Sequence, residues 1–157
     1  MQVVVVSSGS NRDVIKSAMN RWSIEPVFCA EVREVRGLLS RAGRSLIFCE
    51  EQLSDGSYRD LLRELGRTRR ALLVVISTSS DLDRVYREAI ALGAFETIAS
   101  PCRPGDVQWV AIRALQDSQR RSGYRGRKEY VSNDPSVSSP KDPVNRGTEK
   151  DLPQEPG

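Results

Sequence analysis

A chain of 157 residues is the size of one domain with a tail, and nearly all of its apolar runs fall before about residue 119. Its 24 basic and 21 acidic side chains leave a net charge of only +3, which excludes a strongly basic nucleic-acid-coating protein. Histidine is absent, so the commonest metal ligand and the commonest general base are both missing.

Val3 to Val6 is a continuous β-branched run, as expected of a strand buried on both faces. Ser10, with Asp13 three residues on, predicts a helix start with Ser10 as N-cap. Ile15, Ala18, Met19 and Trp22 form the stripe of that helix. Pro26 to Cys29 is a short second strand, and Val32, Val35, Leu39 and Ala42 mark a second helix closed by Gly43. Leu46 to Cys49 is the third strand. Tyr58, Leu61, Leu62 and Leu65 mark a third helix that ends at Gly66. Leu72 to Ile76 is the fourth strand and the most apolar segment. Ser80 and Asp83 open a fourth helix with Leu82, Val85, Ala89 and Leu92 on its buried face, and Gly93 suits the position after its end. Phe95 to Ala99 is a weaker fifth strand. Pro104 fits the first turn of a last helix whose stripe is Val107, Val110, Ala111, Ala114 and Leu115.

Five strand–helix units in strict alternation imply an α/β domain with a parallel sheet covered on both faces. Residues 1–119 make up this domain. From residue 120 the chain turns basic, with Arg120, Arg121, Arg125, Arg127 and Lys128, and then Pro-rich; no stripe of either period survives. Such a segment cannot bury enough apolar surface to offset an ordering entropy of about 1–2 kcal/mol per residue. Residues 120–157 are therefore expected to be a disordered tail, too short for a second folded domain.

Cys29, Cys49 and Cys102 are odd in number and widely spaced, so they imply no disulfide framework. They read as small buried apolar side chains, although all three sit at strand ends on one edge of the sheet. No stretch reaches the ~18 consecutive apolar residues of a membrane span. The amino terminus lacks the basic start of a signal peptide. The expected location is cytoplasmic, with no membrane partner.

The segment Leu46-Ile47-Phe48-Cys49-Glu50-Glu51-Gln52-Leu53-Ser54-Asp55-Gly56 joins a buried strand directly to a carboxylate. Sites in open parallel sheets lie just beyond such strand ends. The segment resembles the phosphoacceptor stretch of response-regulator receiver domains, Asp-x-x-Leu-Pro-Asp-Gly, with Glu50 at the Asp position and Ser54 at the Pro position. Gly93 to Pro101 is similar to a second receiver pattern, Gly-Ala-Asp-Asp-Tyr-Leu-x-Lys-Pro. The resemblance covers residues 1 to about 118. It implies a CheY-like, flavodoxin-like (βα)5 doubly wound parallel sheet of order 2-1-3-4-5, and a place in two-component, phosphorelay-type signalling.

It also implies a site, and here this chain departs from the family. Ser7 and Ser8 stand where two acidic residues hold magnesium, and Glu50 stands where an Asp takes the phosphoryl group. Ser77 fits the hydroxyl that bonds the phosphoryl oxygens; Ser100 replaces the Lys, and Thr97 replaces the aromatic of the switch. Magnesium wants charged oxygen ligands, which two hydroxyls replace poorly. Phosphoryl transfer rests on electrostatic stabilisation that a site without metal and lysine lacks. The expectation is a degenerate, pseudo-receiver pocket of Ser7, Ser8, Ser77, Thr97 and Ser100 around Glu50, with the metal site lost, no cofactor and no catalytic residue. Two readings of Glu50 stay open: a permanent charge imitating a phosphorylated site, or a carboxylate left solvated at the rim. Glu51, next along the strand, is expected to point away. The Ser100–Pro101 bond is expected to be cis, as in the family.

These features favour a stand-alone module that docks on another signalling protein, whether a kinase, a regulator or a second copy, through the face of the fourth and fifth helices. No small-molecule substrate is expected. An alternative is a small anion- or nucleotide-binding protein using the hydroxyl-rich loop Ser7 to Ser10 at a helix start. A third reading gives nucleic-acid contact to the tail, through its basic start and Tyr124 and Tyr130; charge runs of this kind are usually solvated linkers, and nucleic acid is not the expected partner. An enzyme is not expected, because no nucleophile–base pair and no glycine-rich nucleotide fingerprint is present.

Overall fold

Consecutive side chains of a strand face opposite ways, so a run of valines is stable only if both faces are covered. In the computed structural model, which describes residues 1–39, 43–66 and 71–131, strand β1 (Gln2–Val6) meets that demand. Val3 and Val5 enter one core, and Val4 and Val6 the other. β1 pairs in parallel with β2 (Val27–Cys29) on one side and β3 (Ser45–Glu50) on the other. A two-stranded hairpin, β4 (Gln52–Leu53) and β5 (Gly56–Ser57), follows β3 outside the main sheet. The main sheet continues through β6 (Ala71–Ser77) to β7 (Glu96–Ala99). Its order is β2-β1-β3-β6-β7, which is the expected 2-1-3-4-5 once the small hairpin is set aside.

Among the described residues, five helices cover the two faces. Helices α1 (Asn11–Asn20) and α5 (Pro104–Val131) lie on one, where Ile15, Met19, Val107 and Val110 pack on Phe48 and Val74. Helices α2 (Val32–Leu39), α3 (Tyr58–Leu65) and α4 (Leu82–Ala91) lie on the other, where Val35, Leu61 and Val85 pack on Ile47 and Val75. The central strand β3 is buried on both faces up to Cys49, and only Glu50 at its end reaches solvent. Among the described residues no helix is long and apolar enough to cross a membrane.

Several boundaries differ from the periodicity. α1 stops at Asn20, and Trp22 is 38 % exposed rather than part of the buried stripe. The chain turns back there through Ser23 at φ +54°, and Ile24 supplies the apolar contact instead. Ser10 has helical backbone and makes no side-chain cap. α4 is capped not by Ser80 but by Asp81, whose carboxylate accepts from the Arg84 N–H at 3.0 Å. A charged acceptor suits the positive end of a helix better than a hydroxyl. Leu92 lies beyond α4 and is half exposed, and Leu82 is only partly buried. β7 begins one residue late, at Glu96, although the Phe95 N–H still bonds to the Leu73 carbonyl at 2.7 Å. Ala42 lies outside the described residues. The tail begins later than expected, because residues 120–131 continue α5 as helix. Arg, Lys and Glu in that stretch are good helix formers, so it extends a helix already nucleated by packing. The expected disorder of 132–157 lies outside the described residues.

Candidate functional site

Parallel strands bring their carboxyl ends to one edge, and the loops after β1, β3, β6 and β7 meet there. Glu50 ends β3 opposite Ile76 of β6. Its carboxylate is gripped from the β1–α1 side. The Ser7 hydroxyl donates to Oε1 at 2.5 Å, the Asn11 side-chain amide donates to the same oxygen at 3.2 Å, and the Ser8 backbone N–H reaches Oε2 at 3.4 Å. Ser7 is fully buried, and its oxygen in turn accepts from the Gly9 N–H at 3.1 Å. A Cβ at Gly9 would stand 3.3 Å from Glu50 Oε1, so this position favours a residue without a side chain. Glu50 is thus half-buried at the cleft, with its carboxylate hydrogen-bonded on the β1–α1 side.

Glu51 also departs from expectation. The chain leaves the strand after Glu50, so strict alternation no longer applies. Both carboxylates line one cleft of about 440 Å³, and the Ser77 hydroxyl donates to Glu51 Oε2 at 2.7 Å. The hydroxyl at the end of β6 thus serves Glu51 and not Glu50. Thr78, Ser79 and Ser100 lie on the same cleft, and no basic side chain is among its described lining residues.

On the β7 side, Asn11 is the connector. It is 5 % exposed, and its Nδ2 donates to Ser100 Oγ at 3.1 Å as well as to Glu50. Its Oδ1 accepts from the Cys102 N–H at 3.0 Å. A backbone N–H can only donate and a carboxylate can only accept, so these two partners fix which way round the amide lies. The Ser100–Pro101 peptide is cis, as expected.

The two cysteines nearest the site are inert by environment. Burial, with the charges of Glu50 and Asp55 adding to it, pushes the Cys49 thiol up to about 12. Burial likewise pushes Cys102 to about 11, with Asp106 and Glu50 contributing. All three cysteines are free and buried, which matches their reading as small apolar side chains. One turn further along, Asp55 accepts from the Val32 N–H at 2.8 Å and the Arg33 N–H at 3.1 Å, capping α2. Those backbone bonds, the one from Val32 foremost, hold its carboxyl below the ordinary aspartate range against some desolvation.

No protein-family model matches the sequence, and no curated protein matches it. Solved structures do. The chemotaxis response regulator CheY4 of Vibrio cholerae superposes with a TM-score of 0.61 at 16 % identity, over 71 % of this chain and 95 % of that one. Further matches in this range are signal receiver domains and response regulators. The fold is that of response-regulator receiver domains. NtrX from Brucella abortus, in its complex with ADP, reaches a TM-score of 0.71 at 21 % identity over 85 % of this chain, which spans only 30 % of the NtrX chain. A chain described as an adenylate cyclase from Rhodopirellula baltica has a TM-score of 0.69 at 12 % identity, over 85 % of this chain and 98 % of that one. At such identities the likeness concerns the fold.

Ser7 and Ser8 bond Glu50 directly, Ser100 meets it through Asn11, and Ser77 bonds Glu51. Thr97 is not among them. It faces a separate cleft of about 320 Å³ with Leu82, Glu96, Asp106 and Trp109, on the α4–β7–α5 side. Its hydroxyl is buried without a hydrogen-bond partner. Arg113 stacks there on Trp109 at 4.5 Å and on Phe95 at 5.4 Å, and pairs with Glu96. Asn11 is the site residue that sequence reasoning missed; its only signal was a polar residue next to the predicted cap.

The acidic pair that holds magnesium in the receiver pattern has no counterpart at Ser7 and Ser8. Ser7 directs its hydrogen at Glu50. The Asn11 amide directs another at the same oxygen, so Oε1 already accepts from two donors. Among the described residues no cluster of three or more His, Cys, Asp or Glu side chains could hold a metal.

Proposed function

We propose that this chain is an atypical receiver-fold signalling module, which acts by docking to another signalling protein without aspartyl-type phosphorylation. The observation behind the proposal is the internal satisfaction of the site: Glu50 is bonded by Ser7, Asn11 and Ser8, and Ser77 is bonded to Glu51. A nucleophilic carboxylate needs a free oxygen and a cationic surround for the incoming phosphoryl group. Glu50 has hydrogen-bonded oxygens and a second carboxylate beside it. Such a pocket supplies shape rather than turnover, and the absence of histidine leaves it without the usual base.

Docking is supported by the outer surface. Tyr86, Ile90, Leu92, Trp109 and Ile112 are 37–55 % exposed, and all lie in or just after α4 and α5. Large exposed apolar side chains are candidates for protein contact where they cluster. The partner classes that suit such a face are a kinase, a regulator or a second copy of the chain.

The competing anion- or nucleotide-binding reading of Ser7 to Ser10 has less support. The Ser8 N–H already faces Glu50 and the Gly9 N–H already faces Ser7, while two carboxylates in the cleft repel an anion.

The test is exposure of the full chain to acetyl phosphate and magnesium, followed by intact mass. No added phosphoryl mass is expected. A covalent phosphate that disappears in Glu50→Ala would overturn the proposal. Titration with FMN and ATP to millimolar concentration should leave the amide spectrum unchanged; saturable shifts in the Ser7–Asn11 loop would favour the anion-binding reading. In pulldowns, Trp109→Ala with Ile112→Ser should lose partners that the wild type retains, whereas undiminished capture would remove this face from the proposal.

A further inference from the structure

Both carboxylates of the cleft reach the β7–α5 turn, each through one intermediary. Glu51 does so through Ser77, whose hydroxyl it accepts and whose carbonyl accepts the Ser100 N–H at 2.8 Å. Glu50 does so through the Asn11 side chain, which donates to Glu50 and to Ser100 Oγ and accepts from the Cys102 N–H. The turn runs from Ser100 to Arg103 and launches α5 at Pro104, the helix that displays Trp109 and Ile112.

We infer that Asn11 is a positioning residue that couples the Glu50 carboxylate to this turn, so that a change at Glu50 is felt at Cys102 through this one side chain. Three features support it. Asn11 is almost wholly buried, so water cannot take over its bonds. Its amide spans groups 39, 89 and 91 residues away in sequence, and so joins two loops to the end of β3. Its two ends have opposite requirements, a donor for Glu50 and an acceptor for Cys102, which only an amide meets at this length. A lone cap on the Cys102 N–H would need the acceptor end only.

This difference separates coupling from a simple cap, and it does not depend on whether the docking proposal holds. Amide exchange at Cys102 in the full chain, normalised to the core amides of β3, is the readout. Glu50→Ala should speed Cys102 exchange several-fold. Asn11→Ala should speed it roughly ten-fold or more, as expected for a buried N–H left unpaired. The double variant should exchange no faster than Asn11→Ala alone, because the route from Glu50 is already cut. Asn11→Asp keeps the acceptor for Cys102 but sets two carboxylates face to face, so it too should speed exchange. Adding Glu50→Gln restores a donor and an acceptor with their roles reversed, and should return exchange to within about two-fold of wild type. The inference is overturned if Glu50→Ala leaves Cys102 unchanged, if the two alanine effects simply multiply, or if Asn11→Asp behaves as wild type. It is also overturned if Glu50→Gln fails to restore Asn11→Asp.

Discussion

The hydroxyl of Ser7 donates to Oε1 of Glu50 at 2.5 Å, joining residues 43 apart in sequence. Ser7 follows directly on β1 and Glu50 ends β3, and these are neighbouring parallel strands, with Val6 paired to Cys49. Sheet register therefore sets the bond, and the buried serine has no water to replace it.

Ser7→Ala removes a hydrogen bond to a charged group and also the acceptor of the Gly9 N–H. A loss of about 1–3 kcal/mol is expected. Urea unfolding followed by circular dichroism checks it, and an unchanged midpoint would show that water takes over the role.

Asp55 makes stability depend on acid in one direction. Its folded carboxyl ionises below the ordinary value of 3.8 because the Val32 and Arg33 N–H groups bond the charged form. A depressed folded value gives stability that is complete above 3.8 and is lost as pH falls through the folded value. The gap in urea midpoint between wild type and Asp55→Ala should therefore be full at neutral pH and shrink as pH falls below the ordinary value of 3.8. A gap that does not change with pH would mean the capping bonds contribute nothing.

The thiols of Cys49 and Cys102, raised to about 12 and about 11 by burial, should stay protonated at neutral pH. A thiol reagent added to the native chain is expected to modify neither within minutes. Full modification of all three cysteines should appear only in denaturant. Rapid reaction of one native thiol would point to an opening near the site.

Gly93 sits at φ +101°, and a Cβ there would meet no atom within 4 Å. Gly93→Ala therefore reports backbone strain alone. A destabilisation of about 1–2 kcal/mol is expected, measurable as a lower thermal midpoint. No loss would mean that the turn after α4 relaxes to a negative φ.

The alternation of strands and helices, the faces they bury and the carboxylate at the end of β3 were legible in the sequence alone. Periodicity is a property of near neighbours, and Val3–Val6, Leu61–Leu65 and Val107–Ala114 state it locally. Even so, local signals misplaced Trp22 and the caps of α1 and α4, where a turn or a competing acidic residue decided the boundary. The wiring of the site was decided only in three dimensions. Glu51 turns into the cleft because the chain leaves the strand one residue earlier, and it takes the Ser77 hydroxyl that the sequence reading placed around Glu50. Thr97 faces a different cleft from its expected companions. Asn11 meets partners up to 91 residues away. Which donor reaches which carboxylate depends on strand register and loop path, and neither leaves a repeating mark in the order of residues.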